Sequence, residues 1–476
     1  MDNKKWGFLI LTTFVIGNMV GGGIFMLPSN LAQVSGSMGA LMSWGATGLG
    51  VLTLALVFGN LAIRKPDLKA GPQSYAQALF RNPRNGRIAG YSMAWGYWAA
   101  NWAATASVMI SLAGYLSTFF PVMQSTKTLL SIGSFQLELG KLITFLVCSA
   151  LLWGIQWILT YHFNGVGKLN LVTTVAKIIG FILFIVLTLT IFDASNLGLG
   201  ETYTNAEGHP VPFGGQINAA AIATLWAFIG IESAVMLSNR AKSQKDVKKA
   251  TIFGLLISVL IYIAITLLTM AALPHEELVT SQKPLVDALD AVIGSKGAAI
   301  MAILAVISLL GSNIGWVVVS SEVPYQAAKL NLFPKWFAKT NEKGNPQRSL
   351  TLTNIMTQIF IFSTISGTVT QAYNFAMIVA TLAYLIPYFV SAIYQMKLVI
   401  SGETYAEIKG SRIVDGIITG LALIYSIWVI KTGTADLKTF FLGIGLFVFG
   451  LILYPFIMRE STKKEEIEME AVKKIV

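Results

Sequence analysis

The sequence predicts an all-α membrane protein of twelve transmembrane helices, arranged as a 5+5 inverted repeat with discontinuous helices 1 and 6 plus two C-terminal helices. Three observations lead there. Of 476 residues, 54% are hydrophobic and only 12% charged, a balance that excludes an ordinary soluble domain. Apolar stretches of the roughly 20 residues that a hydrocarbon core requires recur along the whole chain. Two of these stretches, five apart in order, are interrupted by glycine.

The stretches fall at about 8–34, 40–62, 89–119, 140–160, 169–191, 217–238, 251–272, 297–325, 351–369, 373–395, 413–430 and 439–458. The first is too long for a cleaved secretory signal and no small-residue cleavage site follows it, so it is expected to remain as a span. Loops are short, which predicts a single integral domain over 1–476: repeat one about 8–191, repeat two about 217–395, helices 11 and 12 about 413–458. The tail, 459–476, mixes both charge signs at helical spacing and reads as a solvated cytoplasmic helix or frayed end. Between spans 2 and 3, "KAGPQSYAQALF" opens on Gly71-Pro72 and spaces Tyr75, Ala78 and Leu79 as apolar positions. That predicts a short helix, lying against the membrane or on the surface.

Net charge is +11, which in a soluble chain would point to nucleic acid. Here the cations cluster in alternate loops, and the pattern excludes that partner. Lys4 and Lys5 precede span 1; Arg64, Lys65, Lys69, Arg81, Arg84 and Arg87 follow span 2. Arg240, Lys242, Lys245, Lys248 and Lys249 follow span 6, and Lys329, Lys335, Lys339, Lys343 and Arg348 follow span 8. The intervening loops hold Glu138, Asp193, Glu201, Glu207, Glu276 and Glu277. Positive loops face the cytoplasm, so a multi-pass protein of the cell membrane with both termini cytoplasmic is expected. The single cysteine, Cys148, reads as a small buried apolar filler and permits no internal disulfide. His162, His209 and His275 fall in predicted loops without metal-ligand spacing, and no hydrolase, metalloprotease or nucleotide-binding motif is present. Neither enzyme chemistry nor a metal or cofactor is expected.

The first interruption is "FVIGNMVGGGIFMLP", where Gly21, Gly22 and Gly23 each cost a helix roughly 1 kcal/mol. The second is "TLWAFIGIESAVM", where Gly230 and Glu232 break the apolar pattern. Bare backbone is not tolerated in lipid, so such breaks must line a protein interior. At corresponding positions of an inverted repeat they frame a midplane substrate site. Close helix packing through Gly17-x-x-x-Gly21 is the alternative.

"GNMVGGGIFMLP" in span 1, "TLWAFIGIESA" in span 6 and "NLFPKWFAKTNEKGNP" after span 8 resemble the amino acid-polyamine-organocation transporter superfamily, and within it the basic amino acid/polyamine exchangers. The resemblance covers essentially all twelve spans. It implies a substrate carboxylate on the free amides of Gly21, Gly22, Gly23 and Ile24, at the positive end of a half-helix. The substrate amine would meet carbonyls around Trp226, Ala227 and Ile229. Matching the motifs without gaps places the substrate-facing positions at Ala100, Asn101, Thr105 and Val108 in span 3, Trp226 in span 6, Trp316 in span 8 and Ala380 in span 10. Trp226 and Trp316 would stack on a cationic or aromatic side chain, a contact worth about 0.5 to 2 kcal/mol when a cation is involved. The chain departs from the family's arginine exchanger where Gly22 replaces serine, Asn101 cysteine, Thr105 asparagine and Ala380 serine. Arginine, ornithine, lysine, tyrosine and histidine therefore all stay in play.

Charges inside a membrane cost at least about 2.5 kcal/mol by insertion scales and ask for a partner or a role. The resemblance makes Glu232 a gate partner of Tyr97 and a proton-sensitive switch; a structural acid bonded to span 1 is the alternative. Lys177 either snorkels to the interface or, as in several superfamily members, holds its ammonium where sodium-coupled relatives bind sodium, touching spans 1 and 8. Glu322 is expected to pair with a loop cation. Together these residues imply an antiporter that exchanges an external amino acid for an internal amine or amino acid product by alternating access, a possible homodimer in the bilayer. If the product were the decarboxylated amine, each cycle would export one positive charge. A proton-coupled permease of the same fold, with Lys177 or Glu232 carrying the proton, is the competing expectation.

Overall fold

The computed structural model describes residues 7–458 apart from 69–70, 134, 162–165, 191, 193–196, 200–201, 206–207, 237–240, 343, 434–440, 442 and 457. Lys4, Lys5, Lys69, His162, Asp193, Glu201, Glu207, Arg240, Lys343 and the tail lie outside the described residues.

Span 1 is two helices, α1 (Phe8–Met19) and α2 (Leu27–Ala32), separated by one 3-10 turn at Gly23–Phe25. Pro28, within the first turn of α2, suits a helix start because its missing amide would be unpaired there anyway. Next come α3 (Ser37–Arg64), α4 (Pro72–Leu79) and α5 (Pro83–Leu116). The Asn82 side chain caps α5 by accepting from the amides of Arg84 and Asn85. An antiparallel hairpin, β1 (Thr128–Ile132) and β2 (Phe135–Glu138), leads into α6 (Leu139–Tyr161) and α7 (Val166–Leu189).

Span 6 is again divided, into α8 (Phe213–Ala227) and the single turn α9 (Ser233–Met236). Then follow α10 (Gln244–Ala272), the short α11 (His275–Thr280) and α12 (Pro284–Ile293), and α13 (Ser295–Lys329). Span 9 is split at Phe362 into α14 (Gln347–Ile361) and α15 (Ser363–Ser366); α16 (Val369–Ser401), α17 (Arg412–Gly433) and α18 (Gly443–Phe456) complete the chain.

Among the described residues, seven helices are long and apolar enough to cross a membrane: α3, α6, α7, α10, α13, α16 and α17. The 34-residue α5 is more polar because protein surrounds it: from Gly90 to Tyr115 only Ser92 is not buried. It packs on α13, α14, α16 and α4. Small residues let the helices approach. A Cβ on Gly254 of α10 would come within 2.5 Å of Val15, and one on Gly311 of α13 within 2.0 Å of Thr173.

Three expectations change here. The helix predicted between spans 2 and 3 exists as α4, but it lies neither on the membrane nor on the surface. Its Pro72–Ala76 turn is buried, Tyr75 stacks on Tyr394 at 5.8 Å, and Lys397 Nζ donates to the Ala78 and Leu79 carbonyls at 2.9 and 2.8 Å. That lysine satisfies carbonyls the helix end leaves open. His275 is the first residue of α11 rather than a loop residue. Among the described residues Glu322 accepts from Gln326 of its own helix, not from a loop cation.

A buried polar cluster fastens α17 to α3. Asp415 accepts from Arg64 through Nε at 3.2 Å and Nη2 at 2.8 Å, and from Asn60 and Tyr405 at 2.9 Å each. Lys248 of α10 donates to Asn60 at 2.6 Å.

Candidate substrate site between two helix breaks

The break after α1 begins where Val20 donates to Ile16 and Gly21 to Met19, both at 2.7 Å. Beyond that point the backbone ladder lapses: no backbone hydrogen bond among the described residues uses the amides of Gly22, Gly23 or Ile24. The glycines are not there for unusual dihedrals, since Gly22 has ordinary helical values of φ −65° and ψ −25°. Space is the reason at Gly22 and Gly23, where a Cβ would fall 2.6 Å from both Val108 methyls and 2.8 Å from Trp226 Nε1; at Gly21 it would lie 3.1 Å from Asn18 O, with Trp316 Nε1 in ordinary contact at 3.5 Å. Gly21, Gly22 and Gly23 are thus each met by a side chain that the sequence placed at the site, from α13, α5 and α8 respectively.

In the second break Gly230 does need its freedom. Its φ of +107° is a region that residues with a Cβ rarely adopt, and a Cβ there would lie 3.1 Å from the backbone of Asn18. The two breaks therefore touch, and Asn18 Nδ2 donates to Ser233 Oγ at 2.7 Å across them. Of the three carbonyls expected to meet an amine, Trp226 O accepts from the Ile229 amide and Ala227 O from Tyr262 Oη at 2.6 Å. Only Ile229 O accepts no hydrogen bond among the described residues.

Tyr97, Asn101, Thr105 and Val108 fall on one face of α5 by their three- and four-residue spacing. Asn101 Nδ2 donates to Tyr97 O at 2.6 Å, while its Oδ1 accepts from Ser320 of α13 at 3.2 Å; Thr105 and Ser320 hydroxyls lie 3.1 Å apart. Trp226 Nε1 donates to Tyr373 Oη at 3.0 Å, and that hydroxyl lies 3.5 Å from Gly23 O. Ala100 and Ala380 are buried on α5 and α16. Ala380 stands one turn before Tyr384, whose ring centre is 6.3 Å from that of Trp316.

Glu232 closes one side of this group. Tyr97 Oη of α5 donates to its Oε1 at 2.5 Å, and its Oε2 accepts from Tyr388 Oη of α16 and from the Gly230 amide. Lys177 does not reach for the interface. It is 4% exposed and its Nζ donates at 3.0 Å both to Gly17 O, at the end of α1, and to Ser312 Oγ of α13.

Tyr373, Tyr384, Tyr388 and Ser320 were not singled out from sequence. The signal was present: the three tyrosines stand 4 and 11 residues apart on α16, bracketing Ala380 on one helical face. Asn101, Thr105, Trp226, Trp316, Glu232 and Lys177 are each 8% exposed or less, so the group is enclosed in this conformation, with Asn18 half-buried at its edge. Among the described residues no cluster of His, Cys, Asp or Glu is arranged to hold a metal.

A family model described as amino acid permease matches residues 7–460. A Bacillus subtilis protein named "Putative arginine/ornithine antiporter" is 56% identical over 466 residues, spanning 98% of this chain and 99% of its own. An arginine/ornithine antiporter of Pseudomonas aeruginosa is 34% identical over 469 residues, with coverage of 95% and 91%. One from Lactococcus lactis is 32% identical over 494 residues, with coverage of 99% and 88%. With the match running through both breaks and every helix between them, the chain belongs to the amino acid permease family, within the amino acid-polyamine-organocation superfamily.

Proposed function

We propose that this protein is an antiporter that exchanges arginine for ornithine across the cell membrane by alternating access. The observation that carries the reading is the contact between the two breaks, with unpaired amides at Gly22 to Ile24 on one side and an open carbonyl at Ile229 on the other. Such a pair suits the carboxylate and amine that every amino acid shares. Trp226 and Trp316 flank the first break, each bringing its Nε1 edge to a glycine, and their ring faces would suit a cationic side chain. The names of the similar proteins favour an amino acid on both sides of the exchange over a decarboxylated amine, and they favour basic substrates over tyrosine or histidine.

In this reading the twelve spans are α1 with α2, α3, α5, α6, α7, α8 with α9, α10, α13, α14 with α15, α16, α17 and α18. The first ten form the inverted repeat, and the termini are cytoplasmic. Lys177 Nζ, bonded to Gly17 O near the end of α1 and to Ser312 Oγ of α13, takes the place a sodium ion would fill, so exchange needs no sodium. The Glu232 clamp to Tyr97 and Tyr388 is the inner closure, which must part for substrate to reach the basic side.

Counterflow in proteoliposomes tests this. Vesicles loaded with ornithine should take up labelled arginine, with or without sodium, while empty vesicles should not. Uptake into empty vesicles driven by a pH gradient would establish the proton-coupled permease instead.

A further inference from the structure

Tyr384 sits in the ring of aromatic residues that borders the side-chain end of the site. Its ring packs edge-on against Tyr97 at 5.1 Å, and its centre lies 6.3 Å from Trp316 and 6.5 Å from Tyr388. Tyr97 and Tyr388 spend their hydroxyls on Glu232. The Tyr384 hydroxyl is fully buried and has no hydrogen-bond partner among the described residues. A buried, unpaired polar group is costly, and a ligand that donates to it on arrival removes that cost. The surroundings define that partner. Three further rings present π faces and edges, and a carboxylate stands just behind Tyr97, so the place is suited to a cation that donates N–H bonds.

We propose that Tyr384 is a specificity-determining residue whose hydroxyl oxygen accepts a hydrogen bond from the cationic head of the bound amino acid, beside Trp316. This rests on the reading of the protein as a basic amino acid exchanger. Tyr384 stands one helical turn beyond Ala380 on the same face of α16.

The experiment compares wild type with Tyr384→Phe, which keeps the ring and deletes only the hydroxyl. Exchange against internal ornithine is measured in proteoliposomes with external arginine, and with norleucine, whose side chain carries no N–H donor, as competitor. The expected result is a rise of about tenfold in KM for arginine with little change in the inhibition constant of norleucine, narrowing the preference between them by about tenfold. Tyr384→Phe should melt at the same temperature as wild type or higher, because it removes an unpaired buried group. An unchanged arginine-to-norleucine preference in a folded variant, or an equal loss for both ligands, overturns the proposal while leaving the exchanger reading intact. A wild type that exchanges neither arginine nor ornithine overturns both. If the variant does not fold, Tyr384→Trp, which also lacks the hydroxyl, carries the same comparison.

Discussion

At Gly22 the site is decided by the space of a single methyl group. A Cβ there would lie 2.6 Å from both Val108 methyls, well inside contact distance, and the neighbour is a stiff β-branched residue that cannot swing aside. Gly22→Ala should therefore weaken arginine binding at least tenfold, since overpacking a tight site costs about 1 to 3 kcal/mol. Val108→Ala in the same chain should restore most of it, and titration calorimetry on the two singles and the double reads this directly. Lys177 offers a second residue-level test. Lys177→Met keeps the length but leaves Gly17 O and Ser312 Oγ without their donor, and it should lower exchange more than tenfold in sodium and in potassium alike.

The sequence already marked Gly21 to Gly23, because glycines in mid-span violate the ordinary lipid-facing pattern, and the family resemblance placed Trp226 and Trp316 beside them. Ser320 was invisible for the opposite reason: one serine among apolar residues is common in a buried helix, and only the fold brings it to Asn101 and Thr105.

Among the elements, the interrupted helices were legible and the connecting pieces were not. Both breaks announce themselves by glycine, and the long apolar helices by length. The hairpin β1–β2 and helices α11 and α12 are short and lie outside the apolar stretches, where turn chemistry rather than periodicity decides structure. The position of α4 was misread because its apolar residues fit a membrane surface as well as they fit the cleft between α5 and α16. Only the tertiary partners Tyr394 and Lys397 separate the two.

Two elements are held by polar clusters with testable consequences. Asp415→Ala leaves Arg64 as a buried charge without its carboxylate, in a pair only 5% and 10% exposed, and should destabilise the solubilised protein by about 3 to 5 kcal/mol. Its melting temperature should fall accordingly. Glu232→Gln weakens the charge-assisted bonds from Tyr97 and Tyr388 that tie the second break to α5 and α16. A cysteine placed at Ser391, with Cys148 replaced by serine, should then react faster with a membrane-impermeant maleimide from the basic side.

For the molecule as a whole, charge balance separates the two kinds of exchange that the sequence allowed. Arginine and ornithine carry the same charge near neutral pH, so their exchange moves no net charge. A potassium–valinomycin potential of either sign should leave the rate of arginine–ornithine exchange unchanged. A potential-dependent rate would return the decarboxylated amine as the counter-substrate. The overall class of the protein was readable from composition and from the order of its apolar stretches. The identity of the substrate was not, because backbone amides and carbonyls at the breaks, as the proposed site, would meet only what all amino acids share.

On the proposed reading, substrate lies between the two breaks, against Trp316. Calorimetric titration of purified wild type and Trp316→Ala with arginine tests it most directly, with circular dichroism on the same samples to establish the folded fraction. Wild type should bind, and Trp316→Ala should show no measurable binding at an unchanged folded fraction. Equal affinity in the two proteins would remove Trp316 from the pocket and contradict the placement of the site.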